Sequence, residues 1–201
     1  TVLYTIDRAI ENTDELIETV NCGEKGFKQA VFTEGSFDHH AYQECQVGKI
    51  PASSRVQSAA ALSDGITVGI VTGATDSYVS PSEGVPFIRS QDVHENHIEQ
   101  DSLKYISKEF HEQQNSSELH EGDVVTVRTG EPGTSCVIPT ELEGASCFSL
   151  IIARPKEDFN ERFYSYYINS EKALDFIDSW KAGGVQGNFN VGVMERLPVP
   201  V

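Results

Sequence analysis

Three clusters of polar side chains set out what chemistry is open to this chain, and it is the chemistry of recognition. Ser77-Tyr78 with Arg89-Ser90-Gln91 combines an aromatic ring, a fork-shaped donor and an amide. Arg128-Thr129-Gly130 leads through Glu131-Pro132-Gly133 to Thr134, which places an arginine, hydroxyls and glycines in a stretch with the composition of a turn. Residues 183–190 set Gln186, Asn188 and Asn190 among glycines that include Gly184. Arginine only donates, an amide both donates and accepts, and glycine lets a backbone come close to a partner. Each cluster also has a plainer reading. Arg89 and Arg128 can end strands at the surface or pair with Asp92 and Glu131, and the glycines can simply supply positive φ.

Bond-making chemistry has no comparable foothold. There is no Gly-x-Ser-x-Gly, no P-loop and no glycine-rich cofactor loop followed by a suitable acid. The Asn-Pro-Pro-Tyr type of motif found in amino-methyltransferases is absent as well. Glu141 and Glu143 are close in sequence, but spacing alone does not make a pair of acids catalytic. His39, His40, Glu44 and Cys45 cluster without the HxxxH or CxxC spacing of a metal site, so no metal is expected. Phe163, Tyr164, Tyr166 and Tyr167 have the helical spacing of core residues, and His94, His97, His111 and His120 lie among carboxylates that would keep them solvated.

The elements that must position these clusters begin with a helix over residues 1–20. Leu3, Ile6, Ile10, Thr13, Ile17 and Val20 alternate at spacings of three and four, the seam of a coiled coil. The pattern is already under way at Thr1, so the helix reads as cut from a longer one. Residues 1–22 are therefore assigned to the helix, 23–49 to a linker with a short helix, and 50–201 to a folded domain. Within that domain residues 54–62 suit a strand and a helical turn. Strands are expected at 66–71, 85–88, 124–127 and 147–153, and at the close of the chain. Helical periodicity marks 103–110, 159–168 and 171–180. Strands and helices are interspersed without a βαβ rhythm, so the predicted class is α+β: a mixed α/β domain behind a long N-terminal coiled-coil helix.

Composition bounds the rest. No apolar run approaches the roughly 18 residues of a membrane span, and residues 1–20 contain no signal-peptide core. The four cysteines are widely spaced, which suits reduced thiols in a cytoplasm. The formal net charge of -16 argues against nucleic-acid partners, whose phosphates favour basic proteins. Two segments hold most of the excess. Residues 92–123 carry nine acids and two lysines, and residues 1–20 carry five acids and one arginine. Both can face away from a partner surface. An acid-rich balance also suits a high-salt cytoplasm, so a halophilic source is expected, and in such salt a basic face would contribute less.

Taken in order, the pieces resemble the specificity subunits of type I restriction–modification systems. Gly84-Val85-Pro86-Phe87-Ile88-Arg89 followed by Asp92-Val93 is similar to that family's "vPfIR…di" signature. Leu119-His120-Glu121-Gly122-Asp123-Val124-Val125 and Arg128-Thr129-Gly130-Glu131-Pro132-Gly133 resemble its "GDil…r-x-G-x-x-G" block. Phe163-Tyr164-Ser165-Tyr166-Tyr167-Ile168 resembles its "yly-yl" helix, and residues 183–190 with Leu197-Pro198-Val199-Pro200 resemble its closing segment. The opening helix, followed by Gly26-Phe27-Lys28-Gln29-Ala30, resembles its helical spacer.

The resemblance implies one target-recognition domain plus one spacer helix, reading half of a bipartite target in double-stranded DNA. It implies a DNA-contacting set of Ser77, Tyr78, Arg89, Ser90, Gln91, Arg128, Thr129, Gly130, Gly133, Thr134, Gly184, Gln186, Asn188 and Asn190. Arginine suits guanine O6/N7, and asparagine or glutamine suits adenine N6/N7. Catalysis is left to methyltransferase and restriction subunits, which would carry S-adenosylmethionine, ATP and Mg. Leu3, Ile6, Ile10, Ile17 and Val20 would meet a partner helix, by self-association where no second helix is supplied. The competing expectation is an acidic coiled-coil interaction module that binds no DNA. A hydrolase built on residues 183–190 is a third.

Overall fold

The computed structural model describes residues 42–45, 48–51, 54–114, 117–181 and 189–201. The spacer helix with Leu3, Ile6, Ile10, Ile17 and Val20, and the loop residues Gly184, Gln186 and Asn188, lie outside the described residues.

In chain order the strands are β1 (Tyr42–Cys45), β2 (Gly48–Pro51), β3 (Val56–Ser58), β4 (Ser63–Val68), β5 (Gly84–Ile88), β6 (Val93–His94), β7 (His97–Ile98) and β8 (Lys104–Ser107). Helix α1 (Lys108–Gln113) precedes β9 (Val124–Val127), β10 (Ser135–Val137), β11 (Ser146–Cys147) and β12 (Leu150–Pro155). Helices α2 (Glu161–Ile168), α3 (Glu171–Lys181) and α4 (Val191–Arg196) follow, and β13 (Pro198–Pro200) closes the described chain. Helices and strands thus mix without regular alternation, as the α+β assignment requires.

The β-branched runs meet in a four-stranded antiparallel sheet ordered β10-β9-β12-β4. Its two central strands are buried on both faces, and their side chains sort by the two-residue period of a strand. Val124, Ile151 and Ala153 face a cluster built by Phe163, Tyr164, Tyr167 and Ile168 of α2, Ala173 and Ile177 of α3, and Met194 of α4. Val125, Val127, Leu150 and Ile152 face the opposite way, toward Ile88, Leu119, Cys136, Ile138 and Cys147. Burying each large aliphatic side chain contributes about 1.5–3 kcal/mol. A second sheet, β11-β5-β8, joins this other side, with β11 parallel to β5. Phe87 and Ile106 there form a smaller cluster with Ile70 and Ala74.

The tyrosines of α2 behave as core residues. Tyr164 and Tyr167 are fully buried, and the Tyr167 hydroxyl donates to the Pro198 carbonyl. Four local expectations are corrected. Residues 103–110 do not form one helix: Ile106 is buried in β8, and Ser107 then caps α1 by accepting from the Phe110 N–H at 3.2 Å. The apolar run 147–153 is broken at Ser149, whose φ of 54° turns the chain out of the second sheet and into the first. Residues read as linker form the hairpin β1–β2, with Tyr42 opposite Pro51. His111 is not simply solvated, since its Nδ1 meets Ser146 Oγ at 2.8 Å in a partly buried contact.

Candidate nucleic-acid interface

The proposed clusters gather because several strands end or begin at one edge of the main sheet. Arg128 follows the last residue of β9, Thr134 precedes β10, and Ser149 precedes β12. At the same edge Gly69 and Ile70 continue β4: the Gly69 N–H donates to the Leu150 carbonyl at 2.9 Å, and the Ser149 N–H donates to the Ile70 carbonyl at 2.9 Å. The second sheet is tied in by the Phe148 N–H donating to the Ile88 carbonyl at 2.8 Å, which brings Arg89 to this edge. Only glycine fits at position 69, where a Cβ would lie 2.4 Å from Cys147 Sγ and 2.6 Å from its carbonyl oxygen.

The first cluster lines a pocket of about 380 Å³, in which Tyr78, Arg89, Ser90 and Gln91 meet Gly73, Ala74, Thr75 and Phe148. Ser77 sits beside it, half-buried, at the end of a 3₁₀ turn. Tyr78 is 39% exposed, with its ring 6.2 Å from that of Phe87. Arg89 takes the plainer of its two readings, because it is paired with Asp92. Its Nε donates to Asp92 Oδ2 at 2.9 Å and its Nη2 to Oδ1 at 2.8 Å, while the Arg89 backbone N–H also donates to Oδ2 at 2.8 Å. The hydrogen bond to Asp92 raises the guanidinium above its ordinary pKa. Asp92 is only 1% exposed, so the pair is a neutral structural clamp with one side open to the pocket.

The second cluster differs. Arg128 does not pair with Glu131; its Nε reaches the Phe189 carbonyl and its Nη1 reaches Ser149 Oγ, each at 3.4 Å. Both acceptors are neutral, and among the described residues no carboxylate forms an ion pair with Arg128. Thr129 and Gly130 are exposed at the tip of the turn. Gly130 (φ 93°) and Gly133 (φ 102°) both need the left-handed region, as the turn reading implied. Gly133, however, is buried, which keeps it from outward contact, while the partly exposed Thr134 donates its Oγ1 hydrogen to the Glu131 carbonyl at 3.0 Å and keeps the oxygen as an acceptor.

Of the third cluster only Asn190 is described. It caps α4, its Oδ1 accepting from the Val193 N–H at 3.2 Å, which makes it a helix cap rather than an unengaged amide. The Phe189 carbonyl nonetheless brings this end of the third cluster beside Arg128.

Phe148 and Ser149 belong to the site yet were not anticipated. The apolar run that contains them conceals the break, and only the serine inside it hinted at one. The acidic segment is also less solvated than expected. Asp92 and Asp123 are buried, and Asp123 lies 3.6 Å from Arg154. Burial raises the Asp123 carboxyl, opposed by the His120 N–H and Arg154. Cys136 and Cys147 are free and buried, and burial pushes the Cys147 thiol up to about 12. Among the described residues no group of three metal-ligating side chains is assembled, and no helix is long and apolar enough to cross a membrane.

No protein-family model matches the chain. Over 93 residues it is 29% identical to a protein described as the MjaX type I restriction enzyme specificity subunit of Methanocaldococcus jannaschii, covering 45% of this chain and 21% of that protein. Its fold matches a chain from a study of complex assembly and conformational transition in the type I R-M system, with a TM-score of 0.59 at 15% identity. That match covers 100% of this chain and 45% of the other. The HsdS subunit from Thermoanaerobacter tengcongensis matches at a TM-score of 0.50 and 14% identity, over 100% of this chain and 44% of that one. A type I S subunit from M. genitalium matches at 0.52 and 8% identity, over 75% and 34%. The chain therefore has the α+β fold of these structures and spans less than half the length of each. In sequence and in fold it is similar to type I restriction–modification specificity subunits.

Proposed function

We propose that this chain is a target-recognition domain of a type I specificity subunit and reads one half of a bipartite DNA sequence. The observation that carries the reading is the convergence on one sheet edge of Tyr78, Ser90 and Gln91 around one pocket and of Arg128 and Thr129 on the neighbouring turn. Phosphate contacts position a protein on DNA and base-edge contacts give it specificity, and this edge offers groups for both. The domain itself supplies no chemistry. Methyl transfer and cleavage fall to methyltransferase and restriction subunits, which bring S-adenosylmethionine, ATP and Mg.

The test is selection of duplexes from a random library by the full chain assembled with its methyltransferase partner. A short enriched sequence is expected, along with no binding of S-adenosylmethionine by the chain alone in calorimetry. The net charge of -16 favours the competing reading, an acidic interaction module. Equal retention of all duplexes, or of none, would establish that reading instead.

A further inference from the structure

The turn that carries Arg128 is held from beneath by a side chain that never reaches the surface. Asn169 follows α2 and is 6% exposed. Its amide engages both polar backbone groups of Ser135: the Ser135 N–H donates to Oδ1 at 2.9 Å, and Nδ2 donates to the Ser135 carbonyl at 2.8 Å. An amide that satisfies one residue's N–H and C=O does what a neighbouring strand does. Among the described residues strand β10 is the edge of its sheet and pairs only with β9, and Asn169 supplies the contact a further strand would make where the chain leaves the turn. The amide is itself oriented, because Nδ2 also donates to the Ser165 carbonyl at 2.9 Å.

A second brace comes from the β6–β7 hairpin. Asn96, at φ 57°, donates its N–H to the Ser135 carbonyl at 2.8 Å. Asn96 Oδ1 accepts from Ser165 Oγ at 2.8 Å and from Asn169 Nδ2 at 3.3 Å. Ser135 Oγ donates in turn to the Gly133 carbonyl at 2.9 Å and lies 2.9 Å from Thr126 Oγ1. The return arm of the turn is thus fixed at Ser135 by three elements, while its tip stays exposed.

We propose that Asn169 is a positioning residue for the recognition turn: it sets the register in which Arg128 and Thr129 meet a duplex without touching DNA. The inference rests on the DNA-recognition reading above. Without the clamp the Ser135 N–H is buried with no partner, and the return arm must shift to find one. Base readout tolerates displacements of only about 0.5 Å, whereas attraction to phosphate tolerates far more. Loss of Asn169 should therefore damage discrimination and spare non-specific affinity.

The experiment uses Asn169→Ala and Asn96→Gly in the full chain. Asn96→Gly keeps the left-handed backbone and its N–H and removes the side-chain contacts to Asn169 and Ser165, so it tests the same inference should Asn169→Ala fail to fold. Affinity for the selected duplex and for a scrambled duplex is measured with the methyltransferase partner, well below the melting temperature. Amide exchange is followed on the chain alone. Asn169→Ala is expected to lower specific affinity roughly ten- to hundredfold, the loss of one good base contact, with scrambled-duplex affinity unchanged. Asn96→Gly should act in the same direction by about threefold, a fraction of one such contact. Exchange should quicken at residues 128–135 while β12 stays protected. Equal loss on both duplexes, or none on either, overturns the inference. If the native assembly prefers no duplex, the DNA reading fails; exchange confined to the turn then still supports the clamp, and exchange spread over the sheet overturns it.

Discussion

Arg89 and Arg128 each follow the last residue of a strand, Arg89 in the second sheet and Arg128 in the first, and they differ in what lies behind them. Arg89 is backed by a carboxylate 1% exposed, with two side-chain hydrogen bonds of 2.8 and 2.9 Å. Arg128 is backed by a hydroxyl and a carbonyl, both at 3.4 Å. The first arginine's charge is cancelled inside the protein, and its role is to order the pocket rim at Ser90 and Gln91. The second keeps its charge for whatever approaches. In a chain of net charge -16, an arginine with neutral neighbours is the better candidate for contact with an anionic duplex.

The largest expected effect breaks the Arg89 side of this comparison. Arg89→Ala leaves Asp92 buried without its cation and should destabilise the fold by about 3–5 kcal/mol, read from urea unfolding. A change under 1 kcal/mol would show that Asp92 has other support and that the clamp reading is wrong. Next comes Arg128→Ala, which should leave stability nearly unchanged but weaken specific DNA binding by about 1–3 kcal/mol and lower the slope of log K against log salt by about 1. An unaltered slope would place Arg128 outside the phosphate contacts.

The glycines of the same turn give a finer test. Gly130 and Gly133 share positive φ, but a Cβ at Gly130 meets open space, whereas one at Gly133 would lie 2.4 Å from Leu174 Cδ2. Gly130→Ala should cost about 1–2 kcal/mol from backbone strain alone. Gly133→Ala should cost more, by about 1 kcal/mol, because the Leu174 side chain must also shift. Equal costs would mean that Leu174 gives way freely and that the turn is less firmly seated than its hydrogen bonds imply.

Much of this fold was legible where periodicity is strong. Residues 124–127, the helices at 159–168 and 171–180 and the turn at 128–134 all follow from alternation, helical spacing and glycine placement. What escaped depends on contacts distant in sequence. Ser149 breaks an apolar run because its N–H donates to the Ile70 carbonyl, a partner distant in sequence, and only its polar side chain hints at the break. Asn169 meets Ser135 34 residues away and looks like an ordinary helix end. The Arg89–Asp92 pair was visible as one of two readings, since three residues is within reach, but sequence could not weigh Asp92's burial. Asn190 was read as a contact for its amide, while the α4 that it caps was only a brief turn in the sequence.

Burial of the partner, rather than partnership itself, separates the Arg89–Asp92 pair from an exposed pair, which sharpens that point with the smallest expected effect. Glu143 accepts from the Glu121 N–H, and its Oε1 lies 2.9 Å from His120 Nδ1, yet both side chains are half exposed. The hydrogen bond to His120, then that to the Glu121 N–H, holds the Glu143 carboxyl below the ordinary glutamate value. A carboxyl lowered on folding contributes stability above its unfolded pKa and loses it as pH falls through the folded one. Comparing Glu143→Gln with the native chain isolates this group from Asp123, whose raised carboxyl contributes with the opposite sign. The two urea midpoints should differ slightly at neutral pH and converge as pH drops below the ordinary glutamate range. The neutral-pH difference should be the smallest in this set, because solvent screens an exposed pair. A difference rivalling that of Arg89→Ala would mean that exposed partners matter as much as buried ones here, and the distinction drawn between Arg89 and Arg128 would lose its basis.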